Sequence, residues 1–240
     1  MVQNMIWLLG AVWTALLLGL LLPLQKERLS KWVLTSSGAY LLAIAVLELF
    51  PLVYSGITDH DALHKLGLWV LAGYMLQLLL ELFSGGVEHG HRHIEKLAPR
   101  RIPWVLLIAL FLHAFLEGLP VGAMGEDPSA RKLTLAIAFH SFPITLVLFS
   151  MLRSLDLSTS FSSIVILLFG CMPVSGILLA DQMAFLQAAE RELTALALGV
   201  FLHVSTTIIF ESAKGHSFNL AKFISILLAF ALAFLAHELI

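Results

Sequence analysis

Eight blocks of apolar residues, each long enough to cross a bilayer, recur along this chain at approximately residues 5–22, 32–54, 66–83, 103–124, 133–152, 161–180, 194–212 and 218–237. A helix of about 20 residues spans a hydrocarbon core of about 30 Å. Hydrocarbon offers the backbone no water, so a crossing segment must satisfy its own N–H and C=O groups, as a helix does. The expected fold class is therefore an all-α integral membrane protein with eight transmembrane helices. Composition agrees: charged residues are 12% of the chain, about half the share that coats a soluble domain.

The connections between blocks are short except for 84–102, SGGVEHGHRHIEKLAPRRI, which leaves no room for a separate soluble domain. The expectation is one transmembrane domain over 1–240. A formal net charge of −2 gives no reason to expect a nucleic-acid partner. The single cysteine, Cys171, excludes an intrachain disulfide and a cysteine zinc cluster. The first basic residue, Lys26, follows the first apolar block. A cleaved signal peptide carries its positive charge ahead of the apolar core, so that block reads as a retained helix.

Basic residues set the orientation. Of the 14 Lys and Arg residues, only Lys65, Arg131, Lys132 and Arg191 belong to the even-numbered connections and their flanks; the rest follow blocks one, three, five and seven. Basic residues accumulate on the cytoplasmic side. Both termini are therefore expected outside the cytoplasm, in the plasma (inner) membrane, with the 84–102 loop inside.

Ionisable groups at membrane depth need a reason, because a charge at a helix centre costs about 2.5–3.5 kcal/mol on insertion scales. His113 and Glu117 in the fourth block, His140 in the fifth and His203 in the seventh lie near mid-membrane; Glu48, Glu81 and Glu211 lie nearer block ends. His113 and Glu117 are four apart and share a helical face. The short Gly125–Lys132 connection forces blocks four and five to pack antiparallel, bringing His140 to the depth of His113. Two imidazoles and a carboxylate make a nitrogen/oxygen donor set suited to a transition-metal ion. Pro120 and Pro143 each displace the carbonyl four residues earlier, at Leu116 and Phe139, beside the suggested ligands. Ser141 and Thr145 add hydroxyls near the second proline. The competing reading is that these groups only hydrogen-bond between helices. Gly118 and Gly122 form a GxxxG spacing, a signal for close helix packing. In the long loop, His89, His91 and His93 alternate near Glu88 and Glu95, which suits either a metal-collecting tract or a solvated loop.

In the fourth block, LHAFLEGLPVGA resembles the helix-four signature of the ZIP (Zrt/Irt-like) metal transporters, His-Asn-x-x-Glu-Gly followed by small residues. FHSFP in the fifth is similar to the family's His-Glu-x-Pro or Gln-Asp/Asn-x-Pro element. GVFLHVSTTIIFES in the seventh resembles Gly-x-Phe-Leu-Tyr-Val ending in Pro-Glu, with His203 where tyrosine is frequent and Glu211 near its end. SGAYLLAIAVLELFP in the second resembles a stretch that often ends in His-Leu-Leu-Pro. The resemblance implies a ZIP-like bundle with a pathway lined by helices two, four, five and seven. It implies movement of zinc foremost, or iron, manganese and similar divalent ions, towards the cytoplasm. By position the ligands would be His113, Glu117 and His140, with Zn2+ or a similar ion as transported substrate.

The chain also departs from the family pattern. Ala114 replaces the helix-four Asn or Asp, and Ser141 and Ile144 occupy the helix-five acidic positions. That leaves a single-metal site with one carboxylate, which water, Ser141, Glu48 or His203 would complete. Two alternatives stay open: a metal-binding or sensing relative that does not transport, and an intramembrane hydrolase using the histidines as ligands and Glu117 as general base. The absence of a paired motif such as H-E-x-x-H weighs against an enzyme. Expected partners are metal ions and the lipid bilayer; a homodimer is left open.

The orientation has a direct check in a Cys171→Ser background. A cysteine at Ser217 is expected to react only with reagents that reach the cytoplasm, and one at Ser129 only with external ones. Labelling at 217 from outside would invert the assignment.

Overall fold

The computed structural model describes residues 1–21, 27–84, 100–211 and 220–239, and the side chains of all of these but 27–32, 211 and 239. Among them are eight helices long and apolar enough to cross a membrane, and no strand. They are α1 (Val2–Leu21), α2 (Glu27–Ile44, continued below), α3 (His60–Ser84), α4 (Trp104–Met124), α5 (Pro128–Ser154), α6 (Thr159–Gln182), α7 (Glu190–Glu211) and α8 (Leu220–Leu239). A short helix, Ala184–Ala188, sits between α6 and α7; the apolar pattern does not mark it.

Several helices outrun their apolar blocks, because apolar composition marks the hydrocarbon boundary while capping marks the helix end. Asp127 caps α5, its Oδ1 accepting from the Ser129 N–H at 2.7 Å, with Pro128 in the first turn. Pro is suited to that turn, where its missing N–H costs nothing. Ser158 caps α6 by accepting from the Phe161 N–H at 3.2 Å. The α4–α5 turn passes through Gly125 at φ 61°, a left-handed conformation suited to glycine.

The helix α2 changes register within the membrane. Glu27–Ile44 runs into a π-helical turn, Ala45–Leu49, and then Phe50–Tyr54. The Phe50 N–H reaches back five residues to the Ala45 carbonyl. Pro51, next in the chain, has no N–H to give and so interrupts the helical hydrogen-bond ladder beside this widened turn. Glu48 lies inside this turn and is buried.

Burial sorts the helices into two rings. The membrane-spanning windows of α2, α4, α5 and α7 are between 61% and 72% buried, those of α1, α3, α6 and α8 between 22% and 44%. The inner four are the helices that carry Glu48, His113, Glu117, His140 and His203. The outer four present exposed Leu, Ile, Phe and Trp side chains, such as Leu17, Leu82, Ile164 and Leu228, as lipid contact requires.

Helices in lipid gain little from apolar burial against one another, so small residues that let backbones meet decide the packing. The helices α3 and α7 run together at Gly73 and Gly199: a Cβ on Gly73 would strike the Leu196 carbonyl, and one on Gly199 the Val70 carbonyl. Helix α4 meets α6 in the same way. A Cβ on Gly118 would strike the Pro173 carbonyl, one on Gly122 that of Ile177, and one on Gly176 that of Phe115. The Gly118/Gly122 spacing is thus a packing surface, as its sequence suggests. Outer helices α1 and α8 lie mainly along α5 and α2.

Because the obstacle at Gly199 is backbone, Gly199→Ala is expected to destabilise by about 1–3 kcal/mol, the usual range for overpacking. Gly10, with nothing within 4 Å of a Cβ, is the control, and Gly10→Ala should leave the melting temperature in detergent nearly unchanged.

Candidate metal site

The α4–α5 turn sets the two central helices antiparallel, and three side chains converge between them. His113 and Glu117, one turn apart on α4, and His140, midway along α5, offer ligand atoms that all lie within 4.8 Å of one another. All three are buried, at 1%, 3% and 0% relative exposure. His113 Nε2 and Glu117 Oε1 are 3.3 Å apart. The His113 and His140 rings lie 6.3 Å apart between centroids, at 75° to one another. Among the described residues this is the one group of three or more His, Cys, Asp or Glu donors with that spacing.

The chemistry of such a set follows from geometry and dielectric. Donors around a tetrahedral zinc ion bonded at 2.0–2.1 Å lie about 3.4 Å apart. The His113–Glu117 separation of 3.3 Å already matches, and the third donor, within 4.8 Å of the others, has to close by about 1.4 Å at most. A carboxylate buried without cationic or hydrogen-bonding compensation is costly. Glu117 Oε1 is buried and makes no hydrogen bond, so a cation between it and the imidazoles would relieve that cost. On its other side His113 is tied down: its Nδ1 lies 2.8 Å from Oε1 of Gln77, a fully buried residue of α3.

The remaining residues singled out in the sequence are distributed differently. His203 turns towards α3, its Nε2 2.5 Å from Glu81 Oε2 and its ring edge-on to Tyr74 at 4.8 Å. Ser141 is buried next to His140 in the chain. Glu48 Oε1 faces Lys132 Nζ at 2.8 Å and is hydrogen-bonded to His237 Nδ1. Lys132, near the start of α5, also donates to the His237 carbonyl at 3.0 Å. This places Glu48 in an ionic cluster joining α2, α5 and α8. The Glu211 side chain and His89, His91 and His93 lie outside the described residues.

Sequence reasoning missed Gln77, Lys132 and His237. A neutral amide in the run YMLQLLLEL carries no charge to draw attention, though a fully buried polar group must find a partner somewhere. Lys132 and His237 sit at helix ends, where ionisable side chains are ordinary.

Fold and site together define a class: a multi-pass α-helical membrane protein with a nitrogen/oxygen donor set enclosed among its central helices. A family model described as the ZIP zinc transporter matches residues 86–236. The chain belongs to that family. It is also similar to the zinc transporter ZIP1 of Bos taurus, 29% identical over 140 residues that take in 53% of this chain. The chain spans 43% of the length of that relative.

The Glu48–Lys132 pair generates a stability test, since removing one member of a largely buried ion pair deprives the other of its counter-charge. Lys132→Met is expected to destabilise by roughly 3 kcal/mol. Adding Glu48→Gln to it should recover much of the loss, as read from thermal unfolding of single and double variants. Full additivity of the two substitutions would show that the pair is not coupled.

Proposed function

We propose that this protein moves divalent transition-metal ions, zinc foremost, across the membrane towards the cytoplasm, through a mid-membrane site formed by His113, Glu117 and His140. The observation that carries the reading is the convergence of three buried donors within 4.8 Å, in a chain of the ZIP family. Two imidazoles and one carboxylate suit zinc-like ions and offer too few oxygens for calcium or magnesium.

Three protein donors also suit transport better than permanent binding. Structural zinc sites close all four positions, whereas a site with three protein donors keeps one for water or an incoming ligand. Conduction needs a site that binds well enough to admit the ion and loosely enough to release it. Glu117 supplies one negative charge against the ion's two, which helps admit the ion and leaves it incompletely neutralised. The direction of movement and the external placement of both termini rest on the family resemblance and the distribution of basic residues. The reading makes the protein a transporter and not an enzyme.

Reconstitution in liposomes tests it. Wild-type protein should take up Zn2+, with competition from similar transition ions and little from Mg2+. His113→Ala, Glu117→Ala and His140→Ala should each abolish flux while the protein remains folded and inserted. Zn2+ should raise the melting temperature of wild-type protein but not of these variants, since a ligand stabilises only the state that binds it. Wild-type flux in both His113→Ala and Glu117→Ala would eliminate the site. Zinc-dependent stabilisation without flux would identify a binding protein that does not transport.

A further inference from the structure

Gln77 lies on an outer helix, yet it is fully buried and aimed inward. The buried residues of α3 are Leu66, Gly73, Gln77, Leu80 and Ser84, a single stripe along one face. Leucine would fill the central slot at no polar cost. A buried amide is retained there only at the expense of its hydration, which a hydrogen bond must offset. Its Oε1 lies 2.8 Å from His113 Nδ1.

We propose that Gln77 is a positioning residue for the metal site: its carbonyl oxygen holds the proton of His113 on Nδ1 and so keeps Nε2 available as the ligand atom. This rests on the function proposed above. An amide oxygen only accepts, so the ring nitrogen facing it must be the donor. A neutral imidazole carries one N–H, and with Nδ1 protonated the lone pair lies on Nε2. That nitrogen is 3.3 Å from Glu117 Oε1, on the side where the three donors converge. A metal-bound histidine commonly needs its other nitrogen fixed in this way, and losing such a partner typically weakens metal affinity 10–100-fold.

The placement of Gln77 is itself fixed. Helix α3 is in backbone contact with α7 at Gly73 and Gly199, one helical turn from Gln77. Four residues beyond Gln77, Glu81 engages His203 at 2.5 Å. One face of α3 thus supplies oxygen acceptors to an imidazole of α4 and to one of α7. The hydrogen bond that Gln77 accepts from His113 ties the glycine-packed α3–α7 pair to the glycine-packed α4–α6 pair.

The test is zinc titration of the full-length chain in detergent, together with zinc flux in liposomes, for wild type, Gln77→Leu, Gln77→Glu and His113→Ala. Gln77→Leu removes the acceptor at similar volume and should weaken Zn2+ affinity about 10–100-fold. Gln77→Glu keeps an oxygen at Nδ1 and should restore binding. Co2+ absorption adds a signature that general loss of packing would not reproduce: Gln77→Glu should give the wild-type spectrum, and Gln77→Leu at saturating Co2+ an altered one. Equal affinity in wild type and Gln77→Leu, with His113→Ala still impaired, would overturn the positioning role alone. Equal impairment of the Leu and Glu variants, both folded, would also overturn it. Wild-type protein whose zinc binding is indifferent to His113→Ala would overturn the site and, with it, the role of Gln77.

Discussion

Inside hydrocarbon the backbone has no solvent to bond, and apolar side chains lose little by facing lipid instead of one another. These two facts leave helices as the crossing elements and remove most of the force that packs helices in water. What remains is close contact, and the structure concentrates it where glycine permits backbone to touch backbone. The pairs α3–α7 and α4–α6 are built this way, at Gly73 and Gly199 and at Gly118, Gly122 and Gly176. Polar side chains can then be held at depth, because the backbones that carry them are fixed by contacts a Cβ would destroy.

The polar groups are arranged in partnerships between helices. Gln77 reaches His113, Glu81 reaches His203, and Glu48 reaches Lys132 and His237. Each joins side chains on different helices, and together they connect α2, α3, α4, α5, α7 and α8. In a low dielectric these contacts are strong when complete and expensive when broken. Of the trio His113, Glu117 and His140, His113 takes part in one of these partnerships. Glu117 Oε1 is buried without a hydrogen bond, which gives this region of the core an electrostatic demand.

Much of this was legible in the sequence, for reasons that differ from element to element. The eight crossings follow from transfer free energy, which needs only local composition. The meeting of His113, Glu117 and His140 could be read because two of them share a helical face and the third lies across a short turn. The π-helical turn at Ala45–Leu49 was not read, although Pro51 marks the place. Gln77 escaped because its partner is 36 residues away in the chain and a neutral amide does not advertise a position at depth. Glu48 and His203 were both candidates to complete the donor set. Nothing local to either shows that one faces Lys132 and His237 and the other Glu81, since each pairing depends on how separate helices settle side by side.

The cluster of Glu48, Lys132 and His237 has a consequence for the order in which the molecule is made. Glu48 and Lys132 belong to the second and fifth crossings, and His237 to the eighth. A chain emerging from the ribosome delivers them in that sequence. Between the second and fifth crossings the carboxylate of Glu48 awaits its ammonium, so a partly inserted chain holds an uncompensated acid at α2. Once α5 enters, that acid is met, and two more helices follow before α8 arrives. The last helix therefore docks onto a pair already neutralised, closing the assembly through His237 without having to bring a counter-charge of its own.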